Sequence, residues 1–275
     1  MVATLEGPLR KMLAGLEPDP TGTPGGRVNY ALRSGDQVLE LHPFVGRTLT
    51  VRATGAKTCT VCGRSVPKFY GQGYCFPCFR DAPEASECIV RPELCRAHLG
   101  EGRDPVWERE HHVQEHIVYL SFTGGVKVGV TRSAQMPTRW IDQGAVHALP
   151  IARTPHRQLA GLIEVALKKT FADKTDWRAM LRPVVAAPEV LLAERPNVLR
   201  ELALEMGAYA LEDEWPWSFT YPIDHLPPKV ASVNLDKTPE VSGTLAAIKG
   251  QYLIWADGRV LNVRNHSGFH VEIGG

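Results

Sequence analysis

The stretch VYLSFTGGVKVGVTRSAQMPTRW, residues 118–140, decides how the middle of this chain is read. Residues 117–122 and 126–130 alternate apolar and small or polar side chains on either side of Thr123-Gly124-Gly125, which reads as two strands across a turn. Pro137 suits the first turn of a short helix reaching Gln143, and Gly144 suits its C-terminal cap. A third strand is expected over 146–152. Thr154-Pro155 then reads as an N-cap and first helical position, opening a helix to about residue 171. Leu159, Leu162, Ile163, Ala166 and Leu167 would form its core-facing stripe. A further helix is expected from about Thr175. The predicted order is β-β-α-β-α-α.

Working outward, the flanks have a different texture. One short helical stretch is expected over residues 9–16, then a turn-rich connector, EPDPTGTPGG. Residues 27–53 predict about three antiparallel strands. PEVLLAERPNVLRELALEMGAYALE, 188–212, reads as one or two helices, and the segment DEWPWSFTYPIDHLPPK as extended. The C-terminal residues predict strands separated by Asp257-Gly258 and Ser267-Gly268, both hairpin signals. Strand-rich segments at both ends suggest that the ends pair into one small β unit around the middle.

The whole chain bounds the function without naming it. It has 275 residues and a formal net charge of +1, with 44% hydrophobic and 22% charged residues. That is an ordinary globular composition, and any contact with a polyanion must come from a local patch. No run approaches the roughly 18 apolar residues of a membrane helix, so no membrane partner is expected. The first twenty residues lack an apolar core of signal-peptide length, so a cytoplasmic location is expected. No P-loop, Rossmann glycine pattern or nucleophile elbow is present.

All six cysteines fall between residues 59 and 95. Cys59-Thr-Val-Cys62 and, after twelve residues, Cys75-Phe-Pro-Cys78 form two knuckles whose four thiolates suit a structural Zn2+. Disulfides and buried free thiols are the alternative readings. Cys88 and Cys95 lie near His98 and His112, a set that suggests a second, mixed zinc site; two buried thiols beside solvated histidines is the alternative. One or two zinc ions are therefore expected. Farther on, Lys168, Lys174 and Arg178 fall in a local basic cluster compatible with a phosphate backbone or, equally, with a solvated helix face.

The β-β-α-β-α-α order, with VYL on its first strand and KVGVT on its second, resembles the GIY-YIG nuclease superfamily. Tyr119 falls at that family's first tyrosine, Gly129 and Thr131 at its glycine and threonine, Arg139 at its helix arginine and Glu164 at its helix glutamate. Two positions depart from the pattern. Lys127 stands where the second tyrosine belongs, and Gln143 where many members carry histidine. The resemblance covers about residues 117–185. The cysteine knuckles together with RPELCRAHLGEGRDP, PTRWIDQGA, DKTDW and IKGQYLIWADGRVLNVRNHSG also resemble, over nearly the whole chain, an uncharacterised bacterial family known only as a domain of unknown function.

The nuclease resemblance implies DNA or RNA as partner and divalent-metal-dependent phosphodiester hydrolysis. Tyr119 would orient or deprotonate water, Arg139 would hold the phosphate, and Glu164 would anchor Mg2+ or Mn2+. Lys127 would supply charge, or a base if its pKa is depressed. The expected fold is α+β: a central GIY-YIG-like module, an N-terminal four-cysteine zinc knuckle and a small antiparallel β unit from the chain ends. The expected boundaries are 1–56 for an N-terminal β region, 57–116 for the zinc-binding segment, 117–212 for the α/β module and 213–275 for the C-terminal segment. Tyr119 also reads as a packing tyrosine, and Glu164 with Lys168 as a surface pair. A non-catalytic nucleic-acid-binding protein, or an enzyme using the same cleft on a small substrate, are the alternative functions.

Overall fold

A computed structural model describes residues 4–174, 176–202 and 206–275. Five strands come first: β1 (Leu5–Pro8), β2 (Leu13–Pro18), β3 (Gly25–Ser34), β4 (Gln37–Glu40) and β5 (Thr48–Lys57). Helices α1 (Phe76–Asp81) and α2 (Pro105–His112) flank a run of short 3-10 turns. Then follow β6 (His116–Phe122), β7 (Val126–Arg132), α3 (Thr138–Asp142), β8 (His147–Thr154), α4 (Arg157–Leu167) and α5 (Trp177–Met180). Next are α6 (Glu189–Leu192), α7 (Arg195–Leu202) and β9 (Trp217–Thr220). The chain closes with β10 (Ala231–Ser232), β11 (Glu240–Lys249), β12 (Tyr252–Trp255), β13 (Arg259–Asn262) and β14 (Phe269–Gly274). The fold is mixed α+β. None of the described helices is long and apolar enough to cross a membrane.

The chain divides into two units. The first comprises Met1–Glu17, Arg27–Arg80 and Thr220–Gly275. Its sheet runs β1-β14-β5-β11-β12-β13-β10, so the two ends of the chain do pair, Leu5 opposite Ile273 and Val51 opposite both Ile273 and Val241. The pleat explains the pairing: Phe269, Val271 and Ile273 on β14 are buried, and the residues between them are not. The β unit from the chain ends thus has seven strands, one pair of them (β10 and β13) parallel.

Two readings in this unit are corrected. Residues 9–16 are not helical: Leu9 exchanges backbone hydrogen bonds with Phe269 and Gly268, and Met12 N–H donates to Gln251 Oε1 at 2.7 Å. Apolar spacing fits a helix there, but the backbone is claimed by long-range partners. Asp257-Gly258 does turn β12 into β13, with Gly258 at φ +89°. Ser267-Gly268 instead leads into β14, whose partners are β1 and β5 rather than β13.

The second unit comprises Pro18–Gly26 and Asp81–Phe219. Four strands lie there in the order β9-β8-β6-β7, with β6 hydrogen-bonded on both edges. The order β6-β7-α3-β8-α4-α5 is the β-β-α-β-α-α expected. Val118, Leu120 and Val128 pack with Ile163 and Leu167 of α4 and with Leu191, Val198 and Leu202 of α6 and α7. Helix α4 starts later than the sequence suggests. Thr154 is still in the β ladder opposite His116, and His156 is the N-cap, its Nδ1 accepting from Leu159 N–H. Asp176 caps α5 by accepting from Arg178 and Ala179 N–H; Thr175 lies outside the described residues. Gly144, at φ +69°, follows α3 as expected of its cap.

Gly161 sets how closely α4 approaches the turn before it. A Cβ there would lie 2.2 Å from Glu93 N and 2.4 Å from the Pro92 carbonyl carbon. Backbone on both sides cannot yield cheaply. Gly161→Ala should lower the urea midpoint by the equivalent of about 2 kcal/mol or more, whereas Gly125→Ala, where a Cβ meets nothing within 4 Å, should change it far less.

Candidate functional site

The first knuckle follows β5 and the second leads into α1. Cys59, Cys62, Cys75 and Cys78 bring their sulfurs within 4.8 Å of one another, and all six cysteines are free thiols. The Cys62 and Cys75 sulfurs are 3.7 Å apart, far beyond a disulfide bond and close to the roughly 3.8 Å edge of a tetrahedron with 2.3 Å zinc–sulfur arms. Cys75 N–H donates to Cys59 Sγ at 3.2 Å. Burial raises the Cys59 pKa, but backbone N–H groups of Cys62, Cys75 and Val61 outweigh it and bring the thiol down to about 6. Gly73, at φ +83°, lets the second knuckle close; a Cβ would stand 2.6 Å from Thr60 Cγ2 and 2.7 Å from Ser267 O. Four sulfurs with no open position, Cys59 already held toward its thiolate by backbone donors, can hold a metal ion and suit structural zinc.

In the second unit the hairpin β6–β7 carries a buried polar group on one face. Tyr119 and Ser121 alternate with Val118 and Leu120, and their cross-strand partners are Gly129 and Lys127. Gly129 has a spatial reason: a Cβ there would lie 2.7 Å from the Tyr119 hydroxyl oxygen and 2.8 Å from Cζ. The tyrosine ring therefore lies over the glycine, with its edge toward Trp140 of α3 at 5.7 Å between centroids.

Gln143, one turn after Arg139 at the end of α3, joins the group. Its Oε1 accepts from the Tyr119 hydroxyl at 2.9 Å and from Lys127 Nζ at 2.9 Å. Tyr119 is 0% and Lys127 3% exposed. Burial, then the nearby Arg139 charge, push the Lys127 amine down to about 7, against smaller opposing effects of Glu164 and Asp173. Burial raises Tyr119, partly countered by the Arg139 charge. Glu164 on α4 is buried, and burial raises its carboxyl despite Lys168 at 3.5 Å. Lys168 also reaches Asp173 at 3.3 Å. Ser121 Oγ and Trp140 Nε1 are buried with no hydrogen-bond partner.

The predicted residues Tyr119, Lys127, Arg139 and Glu164 therefore lie within electrostatic reach of one another. Of the expected basic residues, Lys168 joins this group through Glu164 and Asp173. Lys174 and Arg178 are exposed, Arg178 with its guanidinium 4.3 Å above the Trp177 ring. Asp173 and Arg157 are members that the sequence did not single out as site residues; Arg157 is felt electrostatically by Arg139 and Glu164. Around the remaining cysteines, Cys88, Cys95 and His112 converge. His98 is not among them; it stacks on His156 at 4.5 Å. A hydrogen bond from Cys95 brings Cys88 down to about 4 against the effect of burial, and Cys95 is pushed up in turn.

The family described as "Protein of unknown function (DUF2797)" matches residues 46–271, and the chain belongs to it. No curated protein and no solved structure matches the chain.

Lys127 gives a pH signature. Its folded pKa, about 7, lies below the ordinary value of 10.5 that applies when unfolded. Between those values the unfolded chain binds more protons, so this group's penalty on folding is full below about pH 7 and is relieved as pH rises toward 10.5. Urea titrations of wild type and Lys127→Met should therefore show the variant gaining most on wild type at pH 6 and losing that relative advantage by pH 10. A pH-independent difference would contradict the buried amine.

Proposed function

We propose that the module from β6 to α5 is a divalent-metal-dependent endonuclease of the GIY-YIG type, with the four-cysteine zinc knuckle as a separate structural element. The observation that supports it most is the buried set of Tyr119, Lys127 and Gln143, with the Arg139 and Glu164 charges in reach. A purely structural face would be expected to bury apolar groups here, since an amine costs free energy to bury and a neutral one more readily survives it. The resemblance of VYL, KVGVT, Arg139 and Glu164 to the superfamily's motifs points the same way.

In this reading Arg139 holds two phosphate oxygens with its planar fork. Lys127, close to neutral, accepts the proton of the attacking water, and the Gln143 oxygen, shared with Tyr119, aims the amine. The phosphorus–oxygen bond opposite the attack breaks, and the leaving oxygen takes a proton from solvent. Glu164, with Asp173 linked to it through Lys168, would hold Mg2+ or Mn2+, and that cation would supply charge neutralisation at the phosphate. Lys174 and Arg178 offer cations to the nucleic-acid backbone.

A second reading follows from the full burial of Tyr119 beneath Trp140. A module closed in this way binds nucleic acid without cutting it. Labelled single- and double-stranded DNA and RNA, incubated with Mg2+ or Mn2+, separate the two. The endonuclease reading expects cleavage that falls about 100-fold or more in Glu164→Ala and Lys127→Met, with circular dichroism unchanged. Binding without cleavage, weakening steeply with salt, would replace it with the binding reading. Neither binding nor cleavage would overturn both.

A further inference from the structure

The segment between the two knuckles and β6 holds a buried polar group that the nuclease chemistry does not use. Cys88 sits in the 3-10 turn of Glu87–Ile89, Cys95 caps the turn Pro92–Leu94, and His112 ends α2. Their relative exposures are 7%, 1% and 3%. His112 Nδ1 is 3.5 Å from Cys95 Sγ and 3.9 Å from Cys88 Sγ. Both distances are within reach of a thiol hydrogen bond. They bracket the roughly 3.6 Å edge of a tetrahedron with one 2.3 Å sulfur arm and one 2.1 Å nitrogen arm. Glu108, one turn before His112 on the same face of α2, is 2% exposed, and its Oε2 lies 3.8 Å from the same Nδ1.

We propose that Cys88, Cys95 and His112, whose ligand atoms converge within 4.8 Å of one another, form a second zinc site with three protein ligands. The donor set fits the ion. Two thiolates and a neutral imidazole suit borderline-soft Zn2+, and Glu108 stands beside the imidazole rather than among the ligands. Two thiolates balance the charge of the ion, and the Glu108 carboxylate beside His112 adds one negative charge in excess. Arg157, half-buried and donating to Cys88 O and Ile89 O at 2.9 Å each, offsets that excess from α4. His98 is left out: its ring lies stacked on His156.

The site also has a mechanical consequence. The turn Pro92–Leu94 between the two cysteines is the one that meets Gly161 backbone to backbone, and Arg157 ties the Cys88 turn to the same helix. A filled site therefore clamps α4, the helix that carries Glu164. The assignment does not depend on nuclease activity, because its readouts are metal content and metal environment.

The test is elemental analysis and zinc K-edge absorption on the full chain purified with zinc. Wild type should carry two zinc ions per chain, with an average first shell of about three sulfurs and one nitrogen or oxygen. Cys62→Ser and Cys95→Ser should each lose one ion, and His98→Ala should keep both. One ion in wild type with an all-sulfur shell would overturn the site, and this holds even if Cys95→Ser fails to fold.

Discussion

A single side-chain oxygen, Gln143 Oε1, accepts hydrogen bonds from both the Tyr119 hydroxyl and the Lys127 amine. Much of the second unit's local design follows from burying that amine. A charged ammonium at 3% exposure would cost far more than one hydrogen bond returns. Burial and the Arg139 charge shift the group toward its neutral form instead. The glutamine must then come from a helix laid across the hairpin, which α3 provides. The tyrosine ring must lie flat against β7, which Gly129 permits because a Cβ would strike it. An amine brought to about 7 beside a phenol and a guanidinium is a costly arrangement to maintain for packing alone.

The two cysteine centres solve a different problem. The described structure between β5 and β6 contains only short helices and 3-10 turns, with few buried apolar side chains to hold them: Cys88, Cys95 and Ala97 form a cluster by themselves. Such segments lack enough apolar burial to repay the entropy of ordering them. In the zinc sites proposed for them, metal ligation would supply free energy to the folded state where a core does not. The four-cysteine centre belongs to the first unit. The cysteine–histidine group belongs to the second, where it stands behind α4.

Much of the second unit was legible in the sequence because its signals are local. Thr123-Gly124-Gly125 between two alternating runs gives the hairpin, and Gly144 after α3 gives the cap. The stripe on α4 gives the face that meets Val118 and Leu120. The start of α4 was misread because Thr154 and Pro155 look like a cap, whereas the Thr154 backbone is already paired with His116. Long-range pairing also overrode the helical spacing of residues 9–16 and enlarged the terminal β unit. At the candidate site, Tyr119, Lys127, Arg139 and Glu164 stood out by resemblance and order along the chain. The role of Gln143 as shared acceptor did not, since only the crossing of α3 over the hairpin brings it to both donors. Likewise, spacing could not choose between His98 and His112: the turns around Cys88 and Cys95 are irregular, and which imidazole faces the sulfurs depends on where α2 ends.

The account rests on the Lys127 amine titrating near neutral pH, with a folded pKa of about 7, rather than keeping its ordinary value of 10.5. The direct measurement is the titration of its ε-carbon resonance by NMR in the full, zinc-loaded chain, with Lys127→Arg identifying the signal. The account predicts a midpoint about 7, as burial beside Arg139 requires. A midpoint near the ordinary 10.5 would contradict it, and would reduce the cluster around Gln143 to a hydrogen-bonded support for the hairpin.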